Sequence, residues 1–275
     1  MPPDVPACES LEVELDDKVV FIRINRPDKA NAMDAAFWRE IRMLMEWVDR
    51  TPEARVAVIS GNGRHFTAGI DLNLLSEVGL PAGDGCEGRR REALRLNILE
   101  MQKSFTAIEA CRKPVLAAVH SACVGGGIDL ISACDMRYAS ADAYFCVKEI
   151  DVGMTADVGT LQRLPRIIPD GVARELAYTG RNMDAEEARR VGLVNRTWPD
   201  RDGLMRGVTG IARAIAAKTP LGIRGTKEMI LYTRDHSIED GLNYIATWNA
   251  AMIISEDIRE ALAARAEKRE PRFRD

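Results

Sequence analysis

An α/β core followed by a helical tail is the fold class that this 275-residue sequence predicts. Three observations carry that expectation. Short apolar runs, Val56–Ile59 and Val115–Val119 among them, have the length of buried strands. Longer segments with apolar residues at helical spacing stand between them. Beyond about residue 200 the pattern is helical throughout. The length suits one sizeable core with at most a small appended subdomain.

The elements follow in order. Leu11 to Asn25 alternates around Asp16-Asp17 and ends at Arg26-Pro27, which predicts a hairpin. Asp34 is placed to cap a helix whose apolar stripe is Phe37, Ile41, Leu44, Met45 and Val48. Val56–Ile59 is closed by Gly61-Asn62-Gly63, and the glycines and proline between 79 and 88 predict a mobile surface loop. A long helix carrying Leu94, Ile98, Met101, Phe105 and Ile108 follows and ends near Pro114. Val115–Val119 then runs through Ser121-Ala122-Cys123-Val124 into Gly125-Gly126-Gly127 and an apolar helix, Ile128 to Cys134. Met136–Tyr138 and Ala143–Val147 read as further strands, and the tail carries stripes such as Leu242, Ile245, Trp248 and Met252.

Composition narrows the function. Net charge is -4 and no long run of Lys or Arg occurs, which disfavours a general nucleic-acid binder. The densest basic cluster, Arg89-Arg90-Arg91, reads as a solvated helix start. Six cysteines without a CxxC pair fit a reducing compartment better than a disulfide framework. No secretory signal follows Met1-Pro2-Pro3-Asp4, no apolar run approaches the ~20 residues that cross a bilayer, and the last residues are not a peroxisomal address. A cytoplasmic protein is the resulting expectation.

The chemistry-bearing residues gather between 125 and 157. Three glycines between a strand and a helix let the backbone approach a ligand and leave the first helix amides free for an oxyanion, or else simply make a tight crossover. Asp129 sits in the first turn of that apolar helix. It complements the helix N-terminus, or it is a buried acid with a task. Taken alone, Glu149 beside Lys148 is more often an exposed ion-pair partner, and Asp157 before Val158-Gly159-Thr160 an N-cap. Asp151 reads as a turn residue before Gly153, and Cys123 as packing. His65, His120 and His236 are scattered without metal-ligand spacing, and no GxSxG elbow is present.

In this order the fragments resemble the enoyl-CoA hydratase/isomerase (crotonase) family over nearly the whole chain. The matching stretches are Arg26-Pro27-Asp28-Lys29-Ala30-Asn31-Ala32, Phe66-Thr67-Ala68-Gly69-Ile70-Asp71, Lys113–Val119 with Gly125–Leu130 and Ala133-Cys134-Asp135, Thr160–Pro165, and Ala188–Val194. The resemblance implies a crotonase-like spiral of repeated ββα units over 1–200 that holds the CoA-ester site. It implies a C-terminal helical region, 201–275, that packs trimers or dimers of trimers. It also implies an oxyanion hole from the amides of Ile70 and Gly126, and coenzyme A held near Lys29, Ala30 and Ala68. Coenzyme A is then part of an acyl-CoA substrate, with no separate cofactor, metal, membrane or nucleic-acid partner expected.

Within the family the acids decide the reaction. Hydratases resemble one another in carrying glutamates at the positions of Asp129 and Glu149. Here the first is Asp, and a third acid, Asp157, follows. Lys148–Thr160, Arg234-Asp235-His236-Ser237 and Leu242-Asn243-Tyr244 look like the Δ3,5-Δ2,4-dienoyl-CoA isomerase subgroup. That likeness implies an isomerase of unsaturated fatty acid β-oxidation. A proton leaves C2 of a 3,5-dienoyl thioester, a dienolate forms, and C6 is reprotonated. Glu149 is expected at C2 and Asp157 at C6, or the reverse, with Asp129 orienting or tuning the pair. The alternatives are a 2-enoyl-CoA hydratase that tolerates Asp129 and, more distantly, a non-catalytic RNA-binding relative.

Overall fold

The computed structural model describes residues 5–74 and 86–275. Its main sheet has six strands: β1 (Leu11–Asp16), β2 (Val19–Ile24), β3 (Val56–Gly61), β4 (Val115–Val119), β6 (Met136–Ser140) and β9 (Arg196–Trp198), in the order β1-β2-β3-β4-β6-β9. The β1–β2 hairpin is antiparallel and every later pairing is parallel. A smaller sheet joins β5 (Ala122–Val124), β7 (Tyr144–Cys146) and β8 (Met183–Asp184).

Side chains alternate across the main sheet. Val20, Ile22, Ile24, Ala57, Ile59, Val115, Ala117 and Val119 face one core, shared with helix α1 (Ala35–Arg50) and the end of α2 (Glu87–Ala110). The stripe expected for α1 is fully buried there, and Asp34 caps the helix by accepting the Phe37 N–H at 2.9 Å. Val19, Phe21, Val56, Val58, Leu116 and Ala118 face the other side. There α7 (Arg201–Ala216) lays Leu204, Val208, Ala212 and Ala216 against them.

Two local readings of the sequence are corrected. The run from Val115 to the glycines is two strands of different sheets, because the chain turns at His120-Ser121, where Ser121 takes φ 51. The loop expected over 79 to 88 lies mostly outside the described residues, and Glu87 and Gly88 already belong to α2. The turn at Ser121 positions the site. It delivers β5 beside β7 in parallel, so the residues after Val124 and after Cys146 emerge at the same end of the small sheet.

Candidate active site

The glycine segment begins where β5 ends. Gly125 donates its N–H to Cys146 O at 2.9 Å, and helix α3 (Gly126–Ala133) starts immediately after. Glu149 follows β7 on a 3-10 turn, Glu149–Val152, and comes back against the glycines. A Cβ built on Gly125 would lie 3.5 Å from Glu149 Oε1. Lys148 pairs with Asp151 rather than with Glu149, so the expected surface ion pair is not made. Asp151 is the turn residue the sequence suggested.

The second wall comes from residues 67–71. Thr67 bridges Cys123 in parallel, and Met33 bridges Ile70 through Met33 N–H to Gly69 O and Asp71 N–H to Met33 O. That pattern turns the N–H of Ile70 itself away from Met33. A Cβ on Gly126 would sit 3.9 Å from the Ile70 nitrogen. Neither the Ile70 nor the Gly126 amide donates to an acceptor among the described residues. Gly69 makes the approach possible: its φ is +92, and a Cβ there would meet Val124 O at 2.8 Å. Two free amides from two chain crossings therefore stand side by side, as an oxyanion requires.

Asp129, in the first turn of α3, is completely buried. Its Oδ1 accepts the Thr160 N–H at 2.6 Å, at the start of the short helix α4 (Thr160–Arg163), while Oδ2 has no partner among the described residues. Asp157 is half-buried and does not cap α4; Gly159 occupies that position. Instead the main-chain oxygen of Asp157 accepts the side-chain amide of Gln102, on α2, at 2.6 Å.

The three acids line one pocket of about 100 Å³, with Ala68, Ile70 and Gly126 at its wall. The rest is mainly apolar, including Trp38, Met101 and Met154. Burial holds all three carboxyls above the usual range. Glu149 reaches about 7, chiefly by desolvation and then by the charge of Asp129; Asp129 reaches about 6 by desolvation, offset partly by the Thr160 bond. Asp157 is raised by desolvation. Glu149 Oε2 is likewise buried without a partner among the described residues, which leaves it available to a ligand.

Lys29 and Ala30 do not line this pocket. They stand one hydrogen bond away, through Ala68 N–H to Ala30 O at 2.9 Å. The sequence alone does not mark Trp38, whose indole Nε1 is buried without a partner among the described residues, or Thr160, which anchors Asp129. Trp38 was hidden because it sits beside the predicted stripe of α1, one position off it. Cys123 is fully buried packing, and no group of three potential metal ligands occurs among the described residues.

The profile of the family described as "Enoyl-CoA hydratase/isomerase" matches residues 14–275. The chain belongs to the enoyl-CoA hydratase/isomerase family. A protein of Arabidopsis thaliana named "Delta(3,5)-Delta(2,4)-dienoyl-CoA isomerase, peroxisomal" is 47% identical over 266 residues, 96% of each chain. The Rattus norvegicus protein of the same name, "mitochondrial", is 45% identical across 95% of this chain and 81% of its own length. Among solved structures of the family, the enoyl-CoA hydratase of Bacillus anthracis superposes with a TM-score of 0.85 at 30% identity, covering 97% of this chain and 99% of that one. The fold is the crotonase fold. These names also overturn the expected cytoplasmic location: the similar proteins are peroxisomal in the plant and mitochondrial in the rat. A location inferred from a missing address signal therefore does not stand.

Proposed function

We propose that this enzyme converts 3,5-dienoyl-CoA to 2,4-dienoyl-CoA in the oxidation of unsaturated fatty acids, and one observation carries the reading: Asp157 lines the same pocket as Glu149 and Asp129. Similarity at 45% and 47% identity to proteins named for that isomerisation supports it, and supports hydration less. Coenzyme A enters as part of the substrate.

The thioester oxygen accepts the amides of Ile70 and Gly126. Glu149, lying against Gly125, is then nearest the carbon next to the carbonyl and removes the C2 proton as a carboxylate. Charge spreads over the conjugated chain and onto the oxygen, where the two fixed donors and the N-terminus of α3 stabilise it. Asp157 gives a proton to C6, and burial moves its carboxyl upward, the direction that favours a donor. Asp129 keeps Thr160 and α4 in register, and its charge adds to the desolvation that raises Glu149 to a value useful near neutrality. Lys29, Ala30 and Ala68 are proposed to meet the nucleotide end of the thioester, and Ala68 lines the pocket wall. The helices after residue 200 are proposed to hold trimers, or dimers of trimers.

Asp157→Asn tests the reading. Conversion of a 3,5-dienoyl-CoA, followed by the absorbance of the newly conjugated thioester, should fall about 10²–10⁴-fold, with acyl-CoA binding retained. Unchanged turnover, or hydration of a 2-enoyl-CoA as the dominant reaction, would refute it.

A further inference from the structure

A second cavity of about 520 Å³ lies across the Asp157 segment from the acid pocket. Asp157 and Val158 are the residues the two linings share. The character changes across that divide. The second lining includes Gln102, Gln162 and four arginines, Arg137, Arg163, Arg166 and Arg234. Glu109 takes Arg163, at 3.0 Å, and Arg234. Arg137 is buried and spends Nε on Leu193 O and Nη1 on Cys134 O and Ile131 O, while its Nη2 donates to nothing among the described residues. Among the described residues Arg166 reaches only the Arg234 carbonyl, at 3.5 Å. Donors are thus left over in a polar space large enough for several waters, each needing ~30 Å³.

The isomerisation creates a need for such a space. In each turnover the C2–H bond breaks to Glu149 and a C6–H bond forms from Asp157. The enzyme is left with Glu149 protonated and Asp157 ionised, so it must lose one proton and gain another before the next substrate. We propose that the arginine-lined cavity is the port through which water reprotonates Asp157. A water gives its proton to the Asp157 carboxylate, and the hydroxide left behind is stabilised by the guanidinium groups. It is neutralised by the proton that Glu149 returns to solvent on the thioester side. The hydrogen that arrives at C6 is then solvent hydrogen and not the one taken from C2. This rests on the isomerase reading above.

The test is a multiple-turnover reaction in D2O with a substrate carrying protium at C2, the product being analysed position by position by NMR. Deuterium at C6 in every turnover is expected. Protium carried from C2 to C6 would overturn the port while leaving the double-bond shift intact; no double-bond shift at all would remove both. Thr106→Phe and Gln162→Phe locate the port, because both positions are exposed at the cavity lining and neither belongs to the acid pocket. Filling the cavity should lower kcat by up to about 10²-fold, with KM unchanged, protium appearing at C6, and Gln162→Asn retaining the parent rate. If the Phe variants melt at the parent temperature yet keep the parent rate and isotope pattern, the cavity is not the port.

Discussion

Gly69 decides where the Ile70 amide points. A methyl group at that position meets both an unfavourable φ of +92 and the Val124 carbonyl at 2.8 Å. Gly69→Ala should therefore displace the amide proposed as one oxyanion donor and lower kcat by about 10²–10³-fold, measured as isomerase turnover, with a smaller change in KM. The acids make a second prediction. Glu149 is neutral-favouring in the folded protein, with its value moved up to about 7 from the ordinary carboxyl range. Its contribution to stability is complete below about pH 4.5 and is lost as pH rises through about 7. Glu149→Gln should match the parent Tm at pH 4.5 and exceed it progressively toward pH 8, a difference that melting curves across that range would reveal. The identities of these residues were legible in the sequence, but their states were not. Glu149 beside Lys148 looks like a surface pair, and only the fold shows the lysine turning to Asp151 while the glutamate is pressed against Gly125.

Among the elements, α3 packs against its own preceding strand through Gly127, where a Cβ would lie 2.7 Å from Thr67 Cγ2 and 3.1 Å from Cys123 Sγ. Gly127→Ala should push α3 off the small sheet and destabilise the protein by about 1–3 kcal/mol, seen as a lower midpoint in urea. Because Asp129 rides on α3, the same variant should lose activity beyond what its stability explains. The hairpin, α1 with its cap, β3 and β4 were all legible, since each carries a period or a terminal signal of its own. The break between β4 and β5 was not. Val115 to Val124 is one nearly continuous apolar run, and nothing local announces that Ser121 adopts a left-handed conformation. That turn is a tertiary consequence of pairing β5 with β7.

At the level of the whole molecule, the tail divides into two parts with different surroundings. Helix α7 is buried on the main sheet, whereas α9 (Ile238–Met252), α10 (Glu256–Glu267) and the link between them leave large apolar side chains exposed, with Ile238 at 83%, Leu242 at 64% and Ile254 at 82%. Apolar residues in such number suit the proposed assembly through these helices. The double variant Leu242→Glu, Ile254→Glu should sediment as a smaller species than the parent, and an unchanged sedimentation coefficient would count against assembly through these helices. The helical character of the tail was readable from its period, but which stripe faces its own core was not, since both kinds share one pattern.

The segment bearing Asp157 belongs to no helix or strand; residues 155 to 158 enter no backbone ladder among the described residues, and the Gln102 side chain tethers them. Chemistry and architecture can therefore be edited apart. A library confined to Thr155–Val158, with Gly159 kept for its φ of +134, would vary the group proposed to act at the far end of the diene. The paired amides at Ile70 and Gly126, which belong to other crossings of the chain, would stay where they are, so new reactions of the same thioester enolate become reachable by changing four positions.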